Sequence, residues 1–240
     1  MLVITEGLVW LIIALPIISF LVNGVLVRAF IGSNSKYAGY ITIAAIGASF
    51  VLSLLALATV MSNGPLDFET HHWIFIGGMN LSFGLILDQL SAIMLLVVSG
   101  ISLLVQIYGQ AYMDGDKSYT RYFAYMSLFT ASMLGLVLAR NMIQIFVFWE
   151  LVGVSSYLLI GFWMDRPSAA AAAKKAFIMT RFGDFGFLLG ILYLYSIHPS
   201  YMDVEVLYQA LEGHQIAASV ATWVALGLFA GAVGKSAQFP

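Results

Sequence analysis

Long apolar stretches constrain this chain more than any other feature of its sequence. A helix that crosses the hydrocarbon core of a bilayer needs about 20 consecutive, mostly apolar residues. The chain has 61% hydrophobic and only 9% charged residues, which is far from the composition of a soluble domain. The sequence therefore predicts an all-α integral membrane protein with about seven transmembrane helices. The seven stretches cover residues 8–30, 38–62, 88–111, 121–139, 142–163, 169–197 and 215–240.

The basic residues of the connecting segments predict the orientation in the membrane. Loops that stay on the inner side are enriched in Lys and Arg. If the amino terminus lies outside, the inner loops receive all the loop Lys and Arg residues except Arg140. These inner residues are Arg28, Lys36, Lys117, Arg121, Arg166, Lys174 and Lys175. The net charge of -2 is spread over the loops without a basic block, so no nucleic-acid partner is expected.

Within this single membrane domain, residues 1–240, two local patterns stand out. Apolar runs flank Gly77 and Gly78 in the segment 62–88 and predict a short β-hairpin on the outer surface. Gly186 and Gly190 are four residues apart in the sixth stretch. Small residues at this spacing let a neighbouring helix approach closely.

Several residue types that hold redox groups are missing or badly placed. The chain has no Cys, and therefore no thiolates for an iron–sulfur cluster. Its four His residues lie in connecting segments or at a helix end, where they cannot clamp a haem between helices. We therefore expect neither a cofactor nor a metal in this chain. The four are His71, His72, His198 and His214.

Four ionisable residues remain at membrane depth: Glu150, Arg181, Asp184 and Lys235. Each strongly polar side chain at the centre of a spanning helix costs about 2.5 to 3.5 kcal/mol on insertion scales. A sequence that keeps four of them is expected to use them. The alternative is structural, with an acid that fixes helix packing, a local salt bridge, and a lysine that reaches the interface from a helix end.

The spacing of these residues predicts some of their partners. Arg181 and Asp184 are three apart on one helix and can pair locally. Glu150 has no base three or four residues away, but Gly153 leaves room for a partner on the same face. Lys235 is left as the unpaired base.

The segment around Lys235, GAVGKSAQFP, is rich in residues that weaken a regular helix. Helices that break at membrane depth usually line a cavity or an ion site. The sequence therefore predicts a discontinuous seventh helix.

Four blocks of sequence carry a family resemblance: LDQLSAIMLLVV (87–98), FWELVGVSSYLLIGFW (148–163), KAFIMTRFGD (175–184) and GKSAQFP (234–240). In this order the blocks resemble the antiporter-like subunits of respiratory complex I, nearest to the large subunit of the L type. They are also similar to the A-type subunit of multisubunit cation/proton antiporters. In that family the last block continues into further helices, so the resemblance implies that this chain is the amino-terminal part of a longer subunit.

The resemblance also implies roles for the four ionisable residues. Glu150 would be the acid partner of Lys235 on the discontinuous helix, and Arg181 with Asp184 would belong to a charged relay towards a neighbouring subunit. Burial disfavours a charged lysine and a nearby carboxylate favours it. A change in this coupling could therefore drive proton uptake and release.

The function implied is that of a proton-translocating, non-redox subunit of an NADH:quinone oxidoreductase in the bacterial cytoplasmic membrane. NADH, FMN, iron–sulfur clusters and quinone are then expected in partner subunits, and the partners are other membrane subunits of complex I, protons and lipid. A sodium/proton antiporter subunit and a structural membrane anchor are the alternatives.

Overall fold

The computed structural model describes residues 3–76 and 79–238, and helices dominate it. Helix α1 continues directly into a π-helical segment, Val22–Ile31, and a short 3-10 helix, Pro199–Met202, precedes α7. The helices are α1 Glu6–Leu21, α2 Tyr37–Asn63, α3 Gln89–Tyr112, α4 Tyr119–Val137, α5 Met142–Ile160, α6 Pro167–Ile197, α7 Val204–Glu212 and α8 Ala218–Ser236. The strands are β1 Leu66–Asp67, β2 His71–Ile76, β3 Met79–Phe83 and β4 Ile86–Leu87.

The prediction of an all-α, multi-pass membrane protein is confirmed. Within the described residues, six helical segments are long and apolar enough to cross a bilayer, judged by length and composition. Helix α4, the fourth predicted crossing, is not among them because polar residues such as Thr120, Arg121 and Ser127 interrupt it. Seven crossings and an outer amino terminus therefore stay predictions. The six segments are Glu6–Ile31, Tyr37–Asn63, Gln89–Tyr112, Met142–Ile160, Pro167–Ile197 and Ala218–Ser236.

The predicted β-hairpin is present between α2 and α3. Strands β2 and β3 pair antiparallel, with His71 opposite Phe83 and Ile76 opposite Met79. The predicted turn residues, Gly77 and Gly78, lie outside the described residues. Strands β1 and β4, which flank the hairpin in sequence, form a second antiparallel pair. Its position on the outer side of the membrane stays a prediction.

The described residues form two compact units, and the prediction of a single membrane domain stays a prediction. Residues up to 68 and residues 86–138 make up the first unit, which contains α1 to α4. Its buried helix contacts use small polar residues. The Ser19 hydroxyl bonds to the hydroxyls of Thr42 and Ser127, each at 3.1 Å. In a bilayer the hydrophobic effect does not drive helices together, so hydrogen bonds of this kind help to join them.

The second unit comprises residues 69–85 and the chain from 139 onwards, and therefore contains α5 to α8 with all four predicted site residues. Helices α6 and α8 pack backbone to backbone along a glycine seam. A Cβ on Gly227 would lie 2.8 Å from the Cα of Gly190, and one on Gly234 would lie 2.9 Å from the Cα of Gly183. A Cβ on Gly186 would lie 2.7 Å from the Cβ of Ala230. The predicted close approach at Gly186 and Gly190 is thus confirmed.

Helix α8 is regular over Ala218–Ser236, so Gly231 and Gly234 do not interrupt it. These glycines serve packing instead, because a Cβ on Gly231 would lie 3.0 Å from the Cβ of Phe187. The helix ends at Ala237, which has φ 51°, a left-handed conformation common just after a helix. Any second half of a discontinuous helix lies outside the described residues, and that feature stays a prediction.

The glycine seam gives a stability prediction. Gly227→Ala is expected to lower the thermal unfolding temperature of the purified chain in detergent, because the new methyl group must push two backbones apart. Overpacking of this kind typically costs about 1 to 3 kcal/mol. Gly7→Ala is the matched control, since its Cβ would meet nothing within 4 Å. Equal unfolding temperatures for the two variants would contradict the assigned packing.

Candidate functional site

Hydrogen bonds fix the amino-terminal end of α5, the helix that carries Glu150. The Asn141 side chain caps the helix by accepting a hydrogen bond from the backbone N–H of Gln144 at 2.8 Å, which satisfies a backbone donor left free at the helix start. The same side chain donates to the carbonyl of Ser82 at 2.5 Å, and Gln144 accepts from the N–H of Gly84 at 3.3 Å. The end of the hairpin thus holds the start of the helix that carries Glu150.

Arg181 on α6 connects the two acids of the site. Its guanidinium forms an ion pair with the Glu150 carboxylate of α5. The same Nη1 lies 3.5 Å from Oδ2 of Asp184, so the local pair predicted within the helix is present. The guanidinium also lies over the Phe177 ring, 4.5 Å from its centroid, a favourable position for a cation. Arg181 is therefore shared between a carboxylate on its own helix and one on its neighbour.

Lys235 on α8 has one ion-pair partner and one hydrogen-bond acceptor. Its Nζ lies 3.7 Å from Oδ2 of Asp184 and donates to the carbonyl of Trp149 at 2.9 Å. The Trp149 indole N–H in turn donates to Oδ1 of Asp184 at 2.7 Å. The lysine also lies 5.3 Å from the centroid of the Trp149 ring. Trp149 thus contacts both members of the pair and fixes their separation.

Gly153 provides the space that the lysine occupies. A Cβ at this position would lie 2.7 Å from Nζ of Lys235 and 3.6 Å from a guanidinium nitrogen of Arg181. The sequence-based expectation that Gly153 leaves room for a partner is therefore met. Any larger side chain there would have to displace the ammonium group.

The structure corrects the pairing expected for Glu150 and Lys235. Among the described residues, the ion pairs join Glu150 to Arg181 and Lys235 to Asp184. A direct Glu150–Lys235 pair is therefore wrong for this arrangement, and Lys235 is not an unpaired base. The physical reason is that α6 packs against both α5 and α8. The guanidinium of Arg181 on α6 therefore lies next to the Glu150 carboxylate of α5.

Trp149 is the participant that sequence reasoning missed. The signal was present, because a buried indole N–H normally finds an acceptor and this tryptophan directly precedes Glu150. The residues three and four positions away on α5 have no side-chain acceptor, so the acceptor had to come from another helix. Asp184, with a side chain only 3% exposed, is that acceptor.

The four charges alternate in sign, in the order Glu150, Arg181, Asp184 and Lys235. Their sum is zero, which is how ionised groups persist away from water. Arginine keeps its proton under all ordinary conditions, whereas carboxylates and lysine can exchange theirs. The arrangement can therefore move protons at Glu150, Asp184 and Lys235, with Arg181 as a fixed positive charge between them.

Comparison with known proteins covers the segment that holds these four residues. A family model described as NADH:quinone oxidoreductase/Mrp antiporter, TM, matches residues 139–240, which hold all four charges. A second model, NADH-Ubiquinone oxidoreductase (complex I), chain 5 N-terminus, matches residues 73–123. The chain belongs to the antiporter-like subunits of complex I and Mrp antiporters.

Individual members of the antiporter-like family match over nearly the whole chain. NAD(P)H-quinone oxidoreductase subunit 5, organellar chromatophore 1, of Paulinella chromatophora is 43% identical over 97% of this chain and 36% of its own length. NAD(P)H-quinone oxidoreductase chain 5 of Synechocystis sp. is also 43% identical, over 97% of this chain and 35% of its own. The chain thus spans about a third of the length of the curated relatives it matches.

A solved structure of the same family matches the fold. The structure of the Mrp complex from Dietzia sp. superposes with a TM-score of 0.78 at 25% identity. The match covers 97% of this chain and 24% of the other chain. The antiporter-like architecture is therefore shared beyond the oxidoreductase subunits.

Proposed function

We propose that this chain is part of a proton-translocating membrane subunit of an NAD(P)H:quinone oxidoreductase. The observation that supports this most is the ammonium group of Lys235, held between Asp184 and the Trp149 carbonyl inside a bundle of spanning helices. Its role in the enzyme is that of a non-redox translocase subunit. NADH, FMN, iron–sulfur clusters and quinone are bound by partner subunits, and quinone reduction there drives the proton transfer here.

The first step of the mechanism is a loaded state, which corresponds to the observed contacts. Arg181 divides its pairing between Glu150 and Asp184, which leaves part of the Asp184 charge to Lys235. At an effective dielectric constant of about 20, two unit charges about 4 Å apart interact by about 4 kcal/mol. Asp184 thus favours the protonated lysine strongly, against the cost of burying its charge.

The second step is release of the Lys235 proton, and it depends on which carboxylate Arg181 pairs with. If Glu150 is neutralised or drawn away, Arg181 is free to pair fully with Asp184, which already lies 3.5 Å from it. Lys235 then shares its carboxylate with a permanent cation and faces that cation's repulsion. Both effects favour loss of the lysine proton. Glu150 therefore controls Lys235 through Arg181 rather than by direct contact.

The partners proposed for this subunit are the other membrane subunits of the complex, the lipid bilayer and the transported protons. Relatives of the chain are named as subunits of multisubunit oxidoreductases, from a cyanobacterium and from a photosynthetic organelle. We place the subunit in an energy-transducing membrane of bacterial type. A signal from a neighbouring subunit would reach Glu150 first, because its side chain is 27% exposed whereas Asp184 is nearly fully buried.

A sodium/proton antiporter subunit is the second candidate, and the similarity to the Mrp complex structure favours it. The two candidates differ in their need for sodium and for a redox partner. Only the oxidoreductase subunit is expected to transport protons in sodium-free buffer when NADH is oxidised.

The test uses the complete subunit that contains this chain, assembled in its complex and reconstituted in sodium-free vesicles. NADH is expected to drive proton uptake, and Lys235→Leu is expected to abolish it. Lys174→Leu is the matched control, since that lysine is exposed at the start of α6. Normal pumping by the Lys235→Leu complex would overturn the proposal, and a strict sodium requirement would favour the antiporter.

A swap of the two α6 charges tests whether they act as more than a local salt bridge. The double variant Arg181→Asp/Asp184→Arg keeps an intrahelical pair, but it places an acid beside Glu150 and a base beside Lys235. We expect it to stay as inactive as the single neutralisations in the same vesicle assay. Recovery of normal pumping in the swapped complex would show that only the local pair matters.

A further inference from the structure

A partly open cavity of about 220 Å³ lies in the first unit, between the π-helical segment Val22–Ile31 and α4. One part of its wall is apolar and includes Phe20, Val25 and Ala124. Another part presents the side chains of Arg28 and Arg121 together with Tyr125. Acidic side chains are absent from this lining. The cavity therefore combines positive charge with an apolar wall.

The two arginines lie at the same end of the helix pair. Arg28 is in the last turn of the π-helical segment, which ends the span Glu6–Ile31, and Arg121 is in the first turn of α4. Arg28 is exposed and forms no ion pair among the described residues. Arg121 is half-buried and has interactions of its own within the protein. Arg28 thus supplies the free positive charge, at the depth where a spanning helix meets the lipid headgroups.

Hydrogen bonds fix the walls of this cavity. Thr120, next to Arg121, donates its backbone N–H to the carbonyl of Ser33 at 3.0 Å and its hydroxyl to the carbonyl of Gly32 at 3.1 Å. On the other side, Nδ2 of Asn23 donates to the Thr42 hydroxyl at 2.7 Å and to the Ala38 carbonyl at 3.2 Å. The chain segments that carry both guanidinium groups are thereby tied together before any ligand arrives.

We propose that this cavity binds the anionic headgroup of a membrane lipid, a phosphodiester or a sulfonate. A guanidinium group offers several N–H donors in a planar fork that matches such oxyanions. The first methylene groups of the acyl chains lie against Phe20 and Val25, and the headgroup lies between the arginines. The volume is below the ~300 to 1,000 Å³ typical of pockets that enclose a drug-sized ligand. It therefore suits a headgroup and leaves the rest of the lipid in the bilayer.

Basic pockets between spanning helices are well suited to anionic lipids because the oily wall excludes a purely soluble anion. Free phosphate could use the same guanidinium groups but would gain nothing from the apolar wall. Binding of the lipid therefore depends on the apolar wall, whereas binding of free phosphate does not. The experiment compares the two ligands on this basis.

The test is native mass spectrometry of the purified chain in neutral detergent with equal amounts of phosphatidylglycerol and phosphatidylcholine of the same chain length. We expect the anionic lipid to be retained about tenfold more often, which corresponds to a difference of about 1.4 kcal/mol. Arg28→Gln should bring the ratio close to one. Arg166→Gln is the matched control because that arginine is exposed and lies over the Trp163 ring in the other unit.

A second variant keeps the test decisive even if Arg28→Gln fails to fold. Val25→Trp leaves both arginines in place but fills the apolar side of the cavity, and it should also abolish the preference. Equal retention of both lipids by the unchanged chain would overturn the proposal. So would displacement of the lipid by millimolar inorganic phosphate, or a preference that survives in both Arg28→Gln and Val25→Trp.

Discussion

Asp184→Asn is expected to abolish proton pumping by the assembled complex almost completely, by about a hundredfold or more. Among the described residues, Asp184 is the carboxylate that both cations approach, with Arg181 at 3.5 Å and Lys235 at 3.7 Å. Removing its charge loses an interaction of about 4 kcal/mol for a pair about 4 Å apart. Each 1.36 kcal/mol corresponds to about tenfold in proton affinity. Lys235 should then remain neutral and stop carrying protons.

This substitution keeps the shape of the site, which makes it a clean test. The asparagine carbonyl can still accept the Trp149 indole hydrogen bond that Oδ1 of Asp184 accepts at 2.7 Å. Asp165→Asn is the matched control, since that acid is exposed in the loop before α6. Proton uptake and NADH oxidation are measured together in vesicles. A normal ratio of protons to NADH for Asp184→Asn would exclude the assigned role.

Glu150→Gln is expected to lower pumping about tenfold or more while the complex still assembles, a loss equivalent to at least about 1.4 kcal/mol of coupling. The amide removes the second carboxylate charge with which Arg181 is paired, so Arg181 is left with Asp184 alone. Arg181 should then occupy Asp184 and leave Lys235 without its full partner. Glu150→Asp keeps the charge on a shorter arm and should retain part of the activity.

A double variant tests whether Glu150 acts on Lys235 through Arg181. If Glu150 acts only through Arg181, then Glu150→Gln should have no further effect once Arg181 is gone, and the double variant Glu150→Gln/Arg181→Gln should show the same residual pumping as Arg181→Gln alone. Glu212→Gln, on the exposed helix α7, is the control for a charge change alone. Unaltered pumping by Glu150→Gln would show that the carboxylate charge is not used. A double variant that pumps clearly less than Arg181→Gln alone would show that Glu150 also acts without Arg181.

The fold was largely predictable because burial in a bilayer leaves a strong pattern. Each of the seven apolar stretches corresponds to a long helix, and the paired runs around Gly77 correspond to β2 and β3. The polar content of α4 shows the limit of such counting, since a helix held among other helices can carry Thr120 and Ser127 inside the bundle. Within Ala218–Ser236 the glycines that weaken a helix in isolation serve packing against α6, and such packing partners cannot be predicted from one helix alone.

The residues of the site were predictable, but their pairing was not. The cost of a charge at membrane depth singles out Glu150, Asp184 and Lys235 without any structure. Which carboxylate meets which cation depends on how α5, α6 and α8 are rotated about their axes. That rotation is set by the glycine seam and by the Trp149 hydrogen bonds across helices. The local pair of Arg181 and Asp184 was predictable because helix geometry alone fixes it.

The glycine seam also determines where water can run. Where Gly183 meets Gly234 and Gly190 meets Gly227, the two backbones are in van der Waals contact, so a file of water molecules cannot pass between α6 and α8 at these levels. The opposite side of Lys235 is different, because Gly153 leaves its ammonium beside α5 with no intervening side chain. Among the described residues, the side of the lysine without an intervening side chain is the one that faces α5, so we expect a hydrated route to the lysine to run along α5 rather than between α6 and α8.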